Sequence, residues 1–98
     1  MSLGRFSKTP AERKRYSIDY SNWLDTDETV ASYAFAVTPA TTPEFVVDAA
    51  SLSGSGTTLI FFVSGGVAAE QYTVDVQATT SGGQVKEDII LYSVKAAS

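Results

Sequence analysis

The most regular pattern of apolar and polar positions lies in the last third of the chain. Between Gln71 and Thr79 every second residue is apolar and the residues between them are polar. This period of two predicts a strand with one buried face and one wet face. Ser81 to Gln84 forms a glycine-containing turn before a second β-rich run, Val85 to Val94. The two runs predict a hairpin. Its apolar face is assigned to Tyr72, Val74, Val76, Ile89 and Leu91.

Four further runs predict strands upstream of this hairpin, over residues 13–20, 30–37, 44–48 and 58–64. Pro39 and Pro43 predict a loop between the second and third of them. The serine- and glycine-rich segment 49–57 predicts a flexible loop. About six to seven short strands in 98 residues are typical of a two-sheet antiparallel sandwich, with a small barrel as the alternative.

Two of these strands have features that suggest contact with a further element or a second chain. The strand 58–64 is apolar on both faces, with Ile60 and Phe62 on one of them. A strand buried on one side does not require a second apolar face, so we expect one face to meet a neighbour. The strand 30–37 carries small residues on one side, which favours close approach by another layer or a partner.

Charge is unevenly distributed along the chain, whose net charge is −4. Residues 1–15 contain five basic residues and one acidic residue, whereas residues 16–98 contain two basic and ten acidic residues. With no periodic apolar pattern before residue 13, we interpret residues 1–12 as a flexible basic arm and residues 13–98 as the folded domain. Arg13, Lys14 and Arg15 are candidates for electrostatic contact with an acidic partner, including another copy of the chain.

Two aromatic residues are assigned structural roles. Trp23 is the only tryptophan, and in a small domain such a residue is expected to fill the core because it buries a large apolar area. Tyr72 begins the penultimate strand, where immunoglobulin-like domains often place a tyrosine whose hydroxyl bonds back to the main chain. An ordinary core tyrosine is the alternative.

The inventory of reactive side chains argues against catalysis. The chain has no histidine and no cysteine, which removes the usual base of serine nucleophiles, thiol catalysis and the thiolate ligands of structural zinc. The acidic turn at residues 25–29 lacks the ligand run and glycine of an EF-hand loop, so we expect an exposed turn without a metal. None of the glycine turns has the lysine and following helix of a phosphate loop. We therefore predict a non-enzymatic protein without a cofactor.

Partner classes can also be narrowed. An acidic body with a short basic segment does not suit nucleic-acid binding, which uses a basic stripe on the folded surface. The chain has no run of about 18 apolar residues, so no membrane span is expected, and residues 1–8 lack the apolar core of a secretory signal. The remaining class of function is binding to other proteins or assembly with them.

Three stretches resemble small immunoglobulin-like proteins of the tail, fibre or head-to-tail region in tailed bacteriophages and prophages. They are Tyr16–Asp25 with Glu28–Val30, then Leu59–Gly66, and Gln71–Val74 with Ser81–Gly83. The resemblance implies an immunoglobulin-like antiparallel β-sandwich and a structural part of the virion, made in the bacterial cytoplasm. Its implied partners are other virion proteins or copies of itself, including a homo-oligomer.

The resemblance and the residues together suggest where partners bind and leave one alternative function. Partner contact is assigned to Arg13, Lys14 and Arg15, and to the apolar pair Ile60 and Phe62. The alternative is a carbohydrate-binding or adhesion module. It requires an exposed aromatic platform, for which the candidates are Trp23, Tyr20, Tyr33 and Tyr92.

Overall fold

Seven β-strands form two sheets in the computed structural model, which describes residues 2–96. One sheet has four strands in the order β1-β7-β6-β3, and the other has three in the order β2-β5-β4. All neighbouring strands are antiparallel except β1 and β7. This is the predicted two-sheet sandwich rather than a closed barrel. The strands are β1 Ser2–Lys8, β2 Lys14–Asp19, β3 Val30–Thr38, β4 Phe45–Leu52, β5 Thr58–Gly65, β6 Gln71–Thr80 and β7 Val85–Val94.

The core lies between the two sheets and is densest along β5 and β6. Leu59, Phe61 and Val63 of β5 are fully buried and face Val74 and Val76 of β6 within the same cluster. Complete burial of each such side chain stabilises the fold by about 1.5–3 kcal/mol before entropy is counted. The outward residues of β5, which alternate with these three, remain partly exposed. The alternation predicted for β6 is therefore the pattern that builds the core.

The pairing of β6 with β7 corrects the predicted apolar face of the hairpin. Val74 lies opposite Ile90, and Val76 lies opposite Asp88. Directly opposed residues share a face of the sheet, so Asp88 and Ile90 point into the core while Ile89 and Leu91 point outwards and are half-buried. The assignment of Ile89 and Leu91 to the buried face is wrong, because the turn fixes a register that buries a carboxylate.

The amino-terminal segment also departs from the prediction of a flexible basic arm over residues 1–12. Ser2–Lys8 is strand β1, which runs parallel to β7 and covers its edge. Phe6 packs its ring 4.8 Å from that of Tyr16, and Lys8 is buried with its Nζ donating to the Gly65 carbonyl at 2.6 Å. Burial lowers the pKa of Lys8, and nearby Glu12 opposes that shift. The domain therefore begins before residue 13; Met1, Ala97 and Ser98 lie outside the described residues.

The loop predicted over residues 49–57 is shorter than expected. Strand β4 continues to Leu52, and its pairing with β5 shifts register between Asp48 and Ser51. Ala49 has a φ of 50° at this bulge. The extra residue interrupts the alternation, which is why the sequence pattern ends the strand at Asp48. Within residues 2–96 no helix is long and apolar enough to cross a membrane.

Candidate protein-binding surface

The outer face of the three-stranded sheet brings together four of the five residues assigned to partner contact. In the β2–β5 pairing, Arg15 lies opposite Phe62 and Ser17 lies opposite Ile60, so these side chains share the solvent side of the sheet. Ile60 and Phe62 are half-buried, and Arg15 is exposed. We call this surface, with Arg13, Arg15, Ile60 and Phe62 as its members, the arginine face.

Arg13 lies across the arginine face rather than extending into solvent. Its guanidinium carbon lies 4.2 Å from the centroid of the Phe62 ring, and Nη2 donates to Asp48 Oδ1 at 3.1 Å. Both charged side chains are about half exposed, so the ion pair contributes at most about 1 kcal/mol. Its main effect is geometric, because it holds the guanidinium over the aromatic ring. Among the described residues Arg15 forms no salt bridge, which leaves its charge available to a partner.

Lys14 is the fifth residue assigned to partner contact, and it does not belong to the arginine face. It lies opposite Val63, whose side chain is in the core, so Lys14 projects from the edge strand β2 on the side opposite to the arginine face. It remains exposed there. Lys14 is thus a neighbour of Arg15 in sequence but a separate surface position.

Tyr72 is fully buried and bridges two segments that precede β6. Its hydroxyl accepts a hydrogen bond from the Val67 backbone N–H at 2.9 Å and shares a second with Thr41 Oγ1 at 2.8 Å. The ring stacks on Phe45, with centroids 4.8 Å apart. These contacts tie the loop before β4 and the turn before β6 to the core, and they are of the kind that a tyrosine corner makes.

Trp23 is at the surface, which contradicts the prediction that it fills the core. It is 36% exposed, whereas Tyr20, three residues earlier, is 2% exposed and belongs to the core cluster. The ammonium group of Lys86 lies 5.7 Å from the Trp23 ring centroid. The physical reason is that Tyr20 already occupies the core at the end of β2, so the chain after it turns outwards.

A buried ion pair beneath Trp23 escapes any reading of the sequence. Asp88 is completely buried on the inner side of β7, and its Oδ1 accepts a hydrogen bond from Lys86 Nζ at 3.1 Å. Burial away from water, with the Asp88 charge as a smaller cause, raises the pKa of Tyr20 to about 12. The acidic run in β7 gives no signal for this, because burial depends on which residue of β6 each carboxylate faces. The pair is structural and lies away from the arginine face.

The acidic turn is likewise more structural than the sequence suggests. Glu28, expected to be exposed, is only 9% exposed and accepts hydrogen bonds from Thr80 Oγ1, from the Asp25 backbone N–H at 3.0 Å and from Gln84 Nε2 at 3.2 Å. These bonds, that from Thr80 first, hold the pKa of Glu28 below its ordinary value. The carboxylate joins the turn to the β6–β7 hairpin. Among residues 2–96 no cluster of acidic side chains has the arrangement of a metal site.

The aromatic residues proposed for a carbohydrate platform do not form one surface. Tyr20 and Tyr92 are buried, at 2% and 1% exposure. Tyr33 is half-buried, and its hydroxyl donates to the Ala50 carbonyl at 3.0 Å. Trp23 alone remains at the surface, so the adhesion alternative loses the flat group of rings that it requires.

Comparison with solved structures places the fold. The 2,6-sialyltransferase of Photobacterium sp. JT-ISH-224 matches 98% of this chain over 18% of its own length, at 12% identity and a TM-score of 0.55. The PKD domain of the KIAA 1837 protein matches 96% of this chain and 81% of that domain, at 17% identity and a TM-score of 0.55. At such low identities the likeness concerns the fold alone, and the PKD domain supports the immunoglobulin-like sandwich.

Comparison of sequences identifies the family. No curated protein matches the chain. The family model of the podophage GP4 fiber-tail adaptor protein gp77 matches residues 8–92, from the end of β1 almost to the end of β7. The match includes the arginine face, the acidic turn and the hairpin. The chain therefore belongs to the podophage GP4 fiber-tail adaptor family gp77, which makes it a structural protein of the phage tail region with an immunoglobulin-like fold.

Proposed function

We propose that this chain is a non-enzymatic adaptor of the virion that acts through protein–protein contacts, with the arginine face as a binding surface for another tail or fibre protein. The observation that carries the proposal is the convergence of Arg13 and Arg15 with Ile60 and Phe62 on one outer sheet face. The family match supports the setting, a phage particle, and the face supplies a means of contact.

The chemistry of the face suits a protein partner with acidic groups. Arginine and aromatic residues are enriched among the residues that dominate binding energies, and they do so when a partner excludes water around them. Arg13 is already held against Phe62, so ordering it on binding costs little conformational entropy. Arg15 offers an unpaired charge beside Phe62 that would attract a carboxylate.

Other partner classes are less compatible with this surface. A nucleic-acid site would need a row of cations, whereas the charge of Arg13 is met by Asp48 and the whole chain carries a net charge of −4. The apolar pair Ile60 and Phe62 is too small for insertion into a membrane, and of the two arginines beside it Arg13 is already paired with Asp48. We therefore place the protein in the assembled virion, bound to other virion proteins.

The experiment compares binding of purified tail and fibre proteins from the same phage to the wild-type chain and to matched variants. Arg15→Glu and Phe62→Ser should each raise the dissociation constant by roughly 10-fold or more, as expected for residues at the centre of an interface. Lys14→Glu is the control, because it makes the same charge change one residue away on another surface. Binding through Arg15 should also weaken as salt rises above about 0.15 M.

Two results would refute the proposed role of this face. One is that Arg15→Glu and Lys14→Glu bind alike, and the other is that Phe62→Ser binds as the wild type does while remaining folded by circular dichroism. If none of the tail or fibre proteins binds the wild-type chain, the adaptor role itself is contradicted.

A further inference from the structure

The sandwich has four sheet edges, and three of them have features that block the addition of another strand. Strand β2 is six residues long and carries Lys14, Arg15 and Asp19. Strand β4 carries the exposed Asp48 and the bulge at Ala49, which bends the strand. Charged side chains, short length and bulges are the means by which proteins protect edge strands from pairing.

The edge formed by β1 is protected as well, although in another way. This strand pairs in parallel with β7, its pairing shifts register between Ser2 and Gly4, and it carries Arg5 and Lys8. The irregular start leaves a shorter regular edge, and the arginine adds a charge to it. A strand approaching from outside would meet a charge on each of these three edges.

Strand β3 shares only one of these features, a register shift in its pairing with β6 between Val30 and Ser32. It is nine residues long and contains no charged residue, no proline and no glycine. It pairs with β6 without irregularity from Ser32 to Thr38, and in the described part of the chain no strand pairs with its other side. Every second residue of such an edge turns its N–H and C=O groups away from the sheet, over a length of roughly 30 Å for nine residues. The edge is regular from Ser32 to Thr38 and carries no charged residue along the strand.

The surroundings of β3 also favour an additional strand. On the outer face Ala34 and Ala36 are exposed and, with Asp75 and Gln77, line a shallow depression of about 170 Å³. Small side chains at these positions let another backbone approach without a steric clash. On the inner side half-buried apolar residues of β3 and β4 border the same open edge of the sandwich. They are Tyr33, Phe35, Val37, Val47, Ala50 and Leu52.

We propose that β3 is a site of strand addition and that its occupant is β3 of a second copy, paired antiparallel about a two-fold axis. The occupant must be an extended strand, uncharged, with small residues on one face and larger apolar residues on the other. Strand β3 has that pattern, with Ala34 and Ala36 alternating with Tyr33, Phe35 and Val37. Two copies therefore satisfy each other's unpaired backbone groups without opposing charges. The inference extends the proposed assembly role, since it names one of the interfaces.

The contact is an edge-to-edge pairing, which buries less surface than a standard stable interface. We therefore expect reversible dimers at high protein concentration. Sedimentation equilibrium between about 5 and 500 µM should show the mass rising from that of one 10.4 kDa chain towards twice that value. Amide hydrogen exchange should slow in residues 30–38 as the concentration rises.

Charge variants provide the decisive comparison. The double variants Ala34→Lys/Ala36→Lys and Ala34→Glu/Ala36→Glu change exposed positions and should each remain folded and monomeric, because like charges then oppose each other across the two-fold axis. Mixing the two variants should restore a 1:1 dimer. Ser17→Lys, exposed on the other sheet, is the control and should dimerise as the wild type does.

The outcomes separate this inference from the proposed function. A wild-type chain that stays monomeric up to about 500 µM, or double variants that dimerise like the wild type, would overturn β3 pairing. A virion protein that adds a strand to β3 while the chain alone stays monomeric would also overturn it, in favour of another occupant. Arg15→Glu should dimerise normally while losing its virion partner, so failure at one surface is distinguishable from failure at the other.

Discussion

Removing the Tyr72 hydroxyl should cost a defined amount of stability. In Tyr72→Phe the ring keeps its stacking on Phe45, so no cavity opens, but both hydrogen bonds of the hydroxyl are lost. Thr41 Oγ1 keeps the hydrogen bond that it donates to the Pro43 carbonyl at 2.8 Å, whereas the Val67 N–H is left without its acceptor. A typical net hydrogen bond contributes about 0.5–1.5 kcal/mol, and a stranded buried donor costs about 1–3 kcal/mol. We expect the free energy of unfolding to fall by about 2 kcal/mol.

Tyr92→Phe is the matched control, because Tyr92 is equally buried in the same core. Its hydroxyl has no hydrogen-bond partner among the described residues. Burial, with Tyr16 as a smaller cause, raises the pKa of Tyr92 well above its ordinary value. Deleting this hydroxyl removes an unsatisfied polar group, so the free energy of unfolding should stay the same or rise by up to about 1 kcal/mol.

Urea denaturation followed by circular dichroism measures both variants. A loss of about 2 kcal/mol should also lower the melting midpoint of a domain this size by roughly 10 °C. The two variants remove the same atom from the same residue type in one core. Equal losses of stability would refute the argument that the Tyr72 hydrogen bonds, rather than the volume of the hydroxyl, hold the two segments in place.

Three further predictions concern the turns and the buried carboxylates. Gly65→Ala should destabilise the fold by about 2 kcal/mol or more, because Gly65 has a φ of 74° and an added methyl group would overlap the carbonyl oxygen of Glu44. Gly54→Ala is the control, since Gly54 faces open space, and it should change the urea midpoint little. Lys86→Met leaves the carboxylate beneath Trp23 without its cation and should cost about 2–4 kcal/mol by the same denaturation assay; a neutral result would contradict the buried pair. The pKa of Glu28 is lower in the folded chain than in the unfolded one, so the ionised Glu28 side chain stabilises the fold above the ordinary carboxyl pKa, and this contribution is lost as the pH falls through the folded pKa. The difference in unfolding free energy between wild type and Glu28→Gln should therefore shrink in acid. A difference that does not change with pH would disprove the linkage.

The strands that build the core were readable from the sequence because their side chains alternate. The patterns of β5 and β6 place Leu59, Phe61, Val74 and Val76 on buried faces, and the structure agrees. The alternation of apolar and polar residues shows which side chains face the core and which face water, and this is sufficient to predict a strand that has one buried face. It also yields the two-sheet architecture and the apolar outer positions of β5.

The alternation of apolar and polar residues does not predict which strands pair or in which register they pair. Asp88 is buried because it lies opposite Val76, and a sequence reading prefers Ile89 in that place since burial of a carboxylate costs free energy unless a cation is near. The size of Trp23 predicts a place in the core, but Tyr20 fills that position. Strand β1 lacks any alternation, and it is defined by backbone pairing with β7.

For the arginine face, too, the sequence pattern predicts the kinds of residue involved, and the strand register determines which of them lie together. The sequence identifies Arg13 and Arg15 as basic and Ile60 and Phe62 as an apolar surplus, but they are more than 40 residues apart in the chain. Only the β2–β5 register brings Arg15 opposite Phe62 and lets Arg13 reach across the ring. The separation of Lys14 from this face follows from the same register.

Cross-linking mass spectrometry of purified phage particles tests whether the arginine face is used in the virion. Lys14 is exposed at the edge of the same strand as Arg15, and Lys95 is exposed just beyond the end of β7. If the arginine face binds a tail or fibre protein, lysine-reactive linkers should join Lys14 to lysines of that protein that lie beside the bound surface, and the particles of an Arg15→Glu phage should lose these links. A chain missing from the particles, or one whose links to other virion proteins are unchanged by Arg15→Glu, would contradict the proposed role.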